Sequence, residues 1–328
     1  MKLRFLSQFT KRIALSATCV AFSAIAAVAN AAFPDKAVTI VVPFGVGGSS
    51  DAQARVIAQE LSKKWGQPVV VDNRPGGQTV IATSMAAKAK PDGYTILYIA
   101  FAWITNQFLI KELPYKTSDL APVSSLGTYP LALMVRSDVP ANNVAEYVAY
   151  AKAQNRPMNF GISTIGASMH LAALEFANQT GIEMAFPPYK SGSVGALNDL
   201  IGKQIDGIFE GAVFKPHVDG GRVKALFIGQ KEKMPGWDLP SAVDVGLPTF
   251  DMTAWYGLMV PSATPSPIQE QISADVSAVL AQPDVRERFA ALGVVAGGMT
   301  PAAFNTFLET QRVKLGGFVE RNRAQLIQ

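Results

Sequence analysis

The sequence predicts a two-lobed α/β protein whose ligand lies in the cleft between the lobes. Strands alternate with helical stretches along the chain, a glycine-rich turn joins the first strand to a helix, and a second small-residue turn recurs before another helix mid-chain. Alternation of this kind gives parallel sheets covered on both faces, with ligands bound beyond the carboxyl ends of the strands.

In order, Val38-Thr-Ile-Val-Val-Pro-Phe-Gly-Val-Gly-Gly-Ser-Ser-Asp51 reads as a buried strand, a glycine turn and a polar helix start. Helical spacing covers residues 52–65 (Ala54, Ile57, Ala58, Leu61) and stops at Gly66-Gln67-Pro68. Residues 68–71 form a second strand, 80–89 a helix and 94–99 a third strand. A second block opens near Leu131 with a strand at 131–135, a helix at 141–154 and a strand at 159–162. The loop Ser163-Thr-Ile-Gly-Ala-Ser168 then leads into a helix at 169–179. Strands follow at 184–187, 205–209 and 223–228, with a helix at 195–202 between the first two. After an irregular stretch at 235–248, an extended segment at 254–260 precedes helices at 267–281, 283–292 and 301–325. The expected division is a leader at 1–31, one lobe from 32–130 with 254–328, and a second lobe from 131–253. No repeat aligns residue by residue, so any symmetry is architectural.

The leader sets the compartment. Lys2, Arg4, Lys11 and Arg12 precede an apolar run from Ile13 to Val28, and Ala29-Asn30-Ala31 is a small-x-small cleavage signal. This pattern is a secretory signal peptide cut after Ala31, so the expected location is the periplasm. The leader carries four of the 29 Lys and Arg, no acid, and the single cysteine, Cys19. The remaining chain balances 25 basic against 25 acidic residues, which gives no polybasic patch for nucleic acid. Without cysteines it must stand on its own core in an oxidising space.

Catalytic machinery is sparse. The two histidines, His170 and His217, are far apart, and neither they nor the scattered acids form a metal-ligand set. Gly161-Ile-Ser-Thr-Ile165 lacks the closing glycine of a nucleophile elbow. A dinucleotide site is the rival reading of Gly45–Ser50, with Asp72 as the ribose-binding acid, but Ser50 stands where the third glycine belongs. No catalytic residue, metal or cofactor is expected.

The glycine turn instead offers free backbone N–H groups at a helix start, a natural anion seat. Pro43–Asp51 with Arg55 resembles the opening motif of the tripartite tricarboxylate transporter receptors, the Bug-type periplasmic binding proteins. The resemblance continues through Asn73-Arg-Pro-Gly76, Pro91-Asp-Gly-Tyr94, Leu113-Pro-Tyr115 and Pro122-Val123. It then runs through Gly161–Leu171, Pro188-Tyr-Lys190, Gly202-Lys-Gln-Ile-Asp206 and Trp255-Tyr-Gly257, nearly the whole mature chain. It implies a hinged, type II-like periplasmic binding protein that captures a small carboxylate (a dicarboxylate, an aromatic acid or an amino acid). The ligand would pass to the membrane permease subunits of a tripartite transporter, and a monomer is expected. The alternative is a secreted enzyme acting on a small organic acid on the same fold.

Carried over to this chain, the ligand-gripping loops are Phe44–Ser50, with Phe44, Gly47, Gly48 and Ser49, and Ser163–Ser168, with Ser163, Thr164, Gly166, Ala167 and Ser168. Tyr189 joins them. Ser49 and Ser50 would serve equally as N-caps, and Asp51 reads as structural. The family's third loop runs Pro-Gly-Ala-Gly-Gly-Asn, whereas here Gln78 and Thr79 add side chains; Phe101 and Trp103 likewise replace small residues after the third strand. Gln78, Thr79 and Trp103 are therefore expected to line the cleft and to disfavour a citrate-like ligand, with core packing as the alternative for Phe101 and Trp103. Glu210, after a strand, is placed to meet a ligand's amino group or to cap a loop.

Overall fold

The computed structural model describes residues 33–234 and 236–326. The leader and Cys19 lie outside the described residues. Among the described residues, no helix is long and apolar enough to cross a membrane.

From residue 37 onward the chain builds two sheets. The first has the order β11-β4-β10-β3-β1-β2. β1 (Val38–Val42) is β-branched at every position and pairs in parallel with β2 (Val69–Asn73) and β3 (Thr95–Ile99). Val38, Ile40 and Val42 are fully buried, as expected for a central strand covered on both faces. Beyond β3 the sheet turns antiparallel. β10 (Ala254–Pro261) pairs with β3 and with β4 (Leu120–Tyr129), and the short β11 (Val295–Ala296) closes the edge. The parallel sheet expected from strand–helix alternation is thus confined to three strands. β4 escaped prediction because Pro122 and the Ser124-Ser125 pair interrupt its apolar pattern.

In the second sheet β5 (Ala132–Arg136) lies between β8 (Gly207–Glu210) and β9 (Val223–Ile228), antiparallel to both. β6 (Met158–Asn159) and β7 (Met184–Ala185) form a parallel pair. A parallel bridge from Phe160 to Gly207 joins that pair to β8. The spatial order β7-β6-β8-β5-β9 reproduces β2-β1-β3-β10-β4 of the first lobe. Each lobe is therefore a three-stranded parallel unit plus an antiparallel strand brought in by the chain crossing from its partner. Phe160, Phe176, Phe209, Phe227 and Phe250 knit the second core, with ring centroids 5.5–6.2 Å apart. Arg156 grips buried Asp206 through two hydrogen bonds of 2.7 and 2.8 Å, and the Asn159 amide adds a third at 2.8 Å. Burial alone would push the Asp206 carboxyl up; these donors outweigh it and hold it below the usual range.

The helices follow the strands. In the first lobe these are α1 (Ser49–Trp65), α2 (Val80–Ala87) and α3 (Phe101–Leu109). In the second they are α4 (Val144–Lys152), α5 (Ser168–Thr180), α6 (Ser193–Ile201) and the short α7 (Lys215–Asp219). The chain then returns to the first lobe with α8 (Ser266–Ala281), α9 (Pro283–Ala291), α10 (Pro301–Arg321) and α11 (Arg323–Leu326). From the sequence, α3 shows only as bulky residues after a strand, because Ile104 and Phe108 leave it without a polar face.

The connections between lobes are short: Pro130-Leu131 between β4 and β5, and the extended residues 251–253 before β10. The two are tied together, since the Gly229 amide donates to the Leu131 carbonyl at 2.7 Å and the Met252 amide to the Gly229 carbonyl at 3.2 Å.

α10 covers β10 at Gly257, where a Cβ would come within 2.1 Å of the Phe304 ring and 3.0 Å of the Ser124 carbonyl. Phe304 is fully buried and cannot retreat. Gly257→Ala should therefore destabilise the protein by about 2 kcal/mol, lowering Tm by roughly 4–8 °C in thermal unfolding. An unchanged Tm would contradict this packing.

Candidate functional site

Each lobe sends helix starts into the gap between the sheets. The first residues of α1, α3, α5 and α6 all line one small cavity with about 40 Å³ open to water-sized groups. Their N-cap residues are Gly48, Ala100, Ala167 and Gly192, and none makes a side-chain cap. Elsewhere α2, α7, α8 and α9 also start without a side-chain cap, whereas Asn143 caps α4 and Thr300 caps α10 through their side chains. A glycine or alanine at the cap leaves the first amides of a helix to find another acceptor. Four positive helix ends therefore face one cavity, and no Lys, Arg or His lines it among the described residues.

The hydroxyls of Ser49, Ser163, Ser168 and Ser193 join this wall, with Phe101 and Tyr256 as its apolar parts. Ser49 is not an N-cap. It is the first residue of α1, and its hydroxyl donates to Glu210 Oε1 at 2.9 Å and lies against the Tyr129 hydroxyl. Tyr129 donates to the same Oε1 at 2.8 Å, and the Gly211 amide reaches it at 2.9 Å. Ser49 and Glu210 are each 4 % exposed, so this knot crosses the cleft at its base. Tyr98 and Tyr129 flank Tyr256 at centroid distances of 5.4 and 5.6 Å. Burial pushes all three phenols well above 10, and the charge of Glu210 adds to it, so they keep their protons and act as donors.

A larger chamber of about 490 Å³ opens outside the first. Phe44, Gly45, Ser163 and Gly192 line both and form the neck between them. The outer walls carry Gln78, Thr79, Thr164 and Tyr189. Gln78 and Thr79 hold φ of 52° and 74°, the left-handed region that favours glycine. The loop thus keeps a glycine-type backbone while bearing two side chains. Asn106 braces it, donating to the Gln78 carbonyl at 2.6 Å and to Thr79 Oγ1 at 3.2 Å. The Tyr189 hydroxyl is committed to Asp199 at 2.7 Å, leaving the ring edge to the chamber.

Three sequence candidates lie outside both linings. Trp103 is buried within α3, 9 % exposed, and its Nε1 finds no partner among the described residues. Gly47, at φ 86°, donates its amide to Asp51 at 2.9 Å. Asp51 also takes Arg55 Nε at 3.0 Å, and Arg55 reaches Asn73, whose side chain donates to the Phe44 carbonyl at 3.0 Å. This network stiffens the first loop from behind. Burial pushes the Asp51 carboxyl up, but Arg55 and the Gly47 amide more than offset it. Gly166, at φ 76°, packs against α3: a Cβ there would sit 2.6 Å from Thr105 Oγ1, and Thr105 donates to its carbonyl at 2.9 Å.

The sequence reading missed the α6 start, whose signal was the Ser191-Gly192-Ser193 run; the helix was instead begun at Gly195. Tyr129 and Tyr256 carry no local signal, because only the β4–β10 pairing brings them to the cavity.

His170 supports the second loop. Its Nδ1 accepts the Gly166 amide at 3.2 Å, and Phe186 packs on the ring at 4.7 Å. Burial pushes the imidazole down to about 4 from 6.5. Between those values the unfolded chain binds a proton that the native ring refuses. Stability contributed by the neutral ring is therefore complete above pH 6.5 and falls as pH drops, by about 3 kcal/mol near pH 4. In His170→Asn this part of the loss should vanish when unfolding free energies are compared at pH 7 and pH 4. Equal pH losses in both proteins would contradict it.

The family model for the tripartite tricarboxylate transporter family receptor matches residues 53–323. Protein BugT of Bordetella pertussis is 32 % identical over 324 residues, covering 97 % of this chain and 99 % of its own. The structure of periplasmic binding protein BugD superposes with a TM-score of 0.83 at 30 % identity, over 88 % of this chain and 98 % of the other. MatC from Rhodopseudomonas palustris, solved with bound malate, gives 0.80 at 30 % identity, over 88 % and 100 %. The family model over most of the chain and relatives matched along nearly their whole length make this chain a member of the tripartite tricarboxylate transporter receptor family, with a solute-binding role.

Proposed function

We propose that the protein captures a small carboxylate in the periplasm and delivers it to the membrane subunits of a tripartite transporter. The observation that carries this reading is the meeting of four side-chain-uncapped helix starts at one cavity without a cationic side chain. Backbone amides and serine hydroxyls hold a carboxylate through several moderate hydrogen bonds, whereas an Arg pair would hold it more tightly and release it less readily. The malate bound to MatC is an acid of the proposed class. The lobes would divide at residues 130–131 and 253–254 and close by rotation about these two tied connections. Ser163, Ser168 and the first amides of α1 and α5 would meet the carboxylate, while Ser49 keeps its proton on Glu210. Gln78, Thr79 and Tyr189 would face the ligand's outer end.

Closure brings the first loop onto α6: a Cβ on Gly48 would lie 3.1 Å from Ser193 Oγ, and one on Gly45 would lie 3.0 Å from the Ser191 carbonyl. In a calorimetric panel of small organic acids, at least one should bind with one-to-one stoichiometry. At a hundredfold excess over its Kd it should stabilise the protein by about 2.7 kcal/mol. Gly48→Val should weaken that acid at least tenfold with little change in the ligand-free Tm. Turnover of an acid without stable binding, or full affinity in Gly48→Val, would refute the reading.

A further inference from the structure

We infer that Thr105 is a closure latch, a positioning residue whose hydroxyl fastens the Ser163–Ser168 loop of the second lobe to α3 of the first. The inference rests on the closure proposed above and names a side chain that holds the closed form from outside both cavity linings.

The hydroxyl takes an unusual direction. Serine and threonine inside a helix commonly bond back to the carbonyl four residues earlier. Ser62, Thr83, Thr180, Thr306 and Thr310 each do so in this protein. For Thr105 that acceptor would be the Phe101 carbonyl. Its Oγ1 instead crosses to the other lobe and donates to the Gly166 carbonyl at 2.9 Å.

The acceptor is well placed to carry an effect to the ligand. Ser163, Ala167 and Ser168 of the same loop line the inner cavity. Gly166 is held on both sides, its amide donating to His170 Nδ1 at 3.2 Å and its carbonyl accepting from Thr105. That carbonyl belongs to the peptide unit that enters Ala167, the N-cap of α5, so fixing it also fixes the aim of the first α5 amides. The helix lies directly on the loop backbone, since a Cβ on Gly166 would come within 2.7 Å of Leu109 Cδ1. The next residue, Asn106, braces Gln78 and Thr79 at 2.6 and 3.2 Å. Two successive residues of α3 thus hold one loop from each lobe, one turn from the Phe101 end that lines the cavity.

Burial gives the bond its bias. Thr105 and Gly166 are both buried in the closed form. When the lobes part, water can serve the hydroxyl and the carbonyl equally well. Deleting the hydroxyl therefore strands a buried carbonyl in the closed form and costs the open form nothing comparable. The bonds of Ser49 and Tyr129 to Glu210 differ in kind, because Glu210 pairs with Ala132 just past the Pro130-Leu131 connection and so lies at the pivot.

The test uses the mature protein with succinate, malate, adipate, benzoate and glutamate, with rates read by stopped-flow fluorescence. For each acid that binds, Thr105→Val keeps the shape and loses the hydroxyl. It should raise koff about fivefold or more and leave kon within about twofold, because capture precedes closure. Thr105→Ser keeps the hydroxyl and loses a methyl, and its koff should stay within about twofold of wild type. A packing role alone predicts the reverse order, with the valine variant unharmed and the serine variant impaired. An unchanged koff in Thr105→Val, a loss confined to kon, or equal losses in both variants overturns the latch while the carboxylate reading stands. If none of the acids binds the wild-type protein, the carboxylate reading and the latch fall together.

Discussion

The site depends on helix ends that are left without side-chain caps. Gly48, Ala100, Ala167 and Gly192 give up the side-chain cap that Asn143 and Thr300 supply to other helices, a contribution of about 1 kcal/mol at each alanine and roughly a few tenths at each glycine. In exchange, no cap side chain occupies the first amides of these helices. Because two of these ends come from each lobe, neither lobe holds the seat alone. On the proposed function, a ligand that satisfies all four ends would draw the lobes together, so that binding and closure are one event.

The fold makes the convergence possible. Both lobes share one strand order, and in each the helices start at the carboxyl ends of the parallel strands. Placing the lobes face to face opposes α1 and α3 to α5 and α6. The antiparallel strands β5 and β10, each delivered by a crossing of the chain, link every movement of one lobe to the sheet of the other. Tyr129 at the end of β4 and Tyr256 in β10 lie at that junction, and Tyr129 bonds directly to Glu210. The floor of the cavity is thus continuous with the two short connections between the sheets.

Much of this was legible in the sequence. The glycine turn at Gly45–Gly48, the serine loop at Ser163–Ser168 and the two-block order announce two jaws, because strand–turn–helix punctuation is local. Long-range pairing is not local, so the antiparallel half of each sheet, the length of β4 and the arrival of Tyr129 and Tyr256 stayed hidden. Trp103 illustrates the limit from the other side. A bulky residue after a strand reads alike whether it faces a cleft or a core, and α3 buries it. Glu210 was legible as a candidate, but its partners were not, since Ser49 and Tyr129 lie 161 and 81 positions away. Gln78 and Thr79 stand out in sequence as added side chains; their left-handed backbone shows that the loop kept its shape while changing its surface.

The most direct test of this account is a crystal structure of the protein with its bound acid. The account predicts ligand carboxylate oxygens about 2.7–3.1 Å from the first amides of α1 and α5 and from serine hydroxyls, with no Lys or Arg side chain in contact. A carboxylate held by a cationic side chain, or seated away from these helix starts, would contradict it.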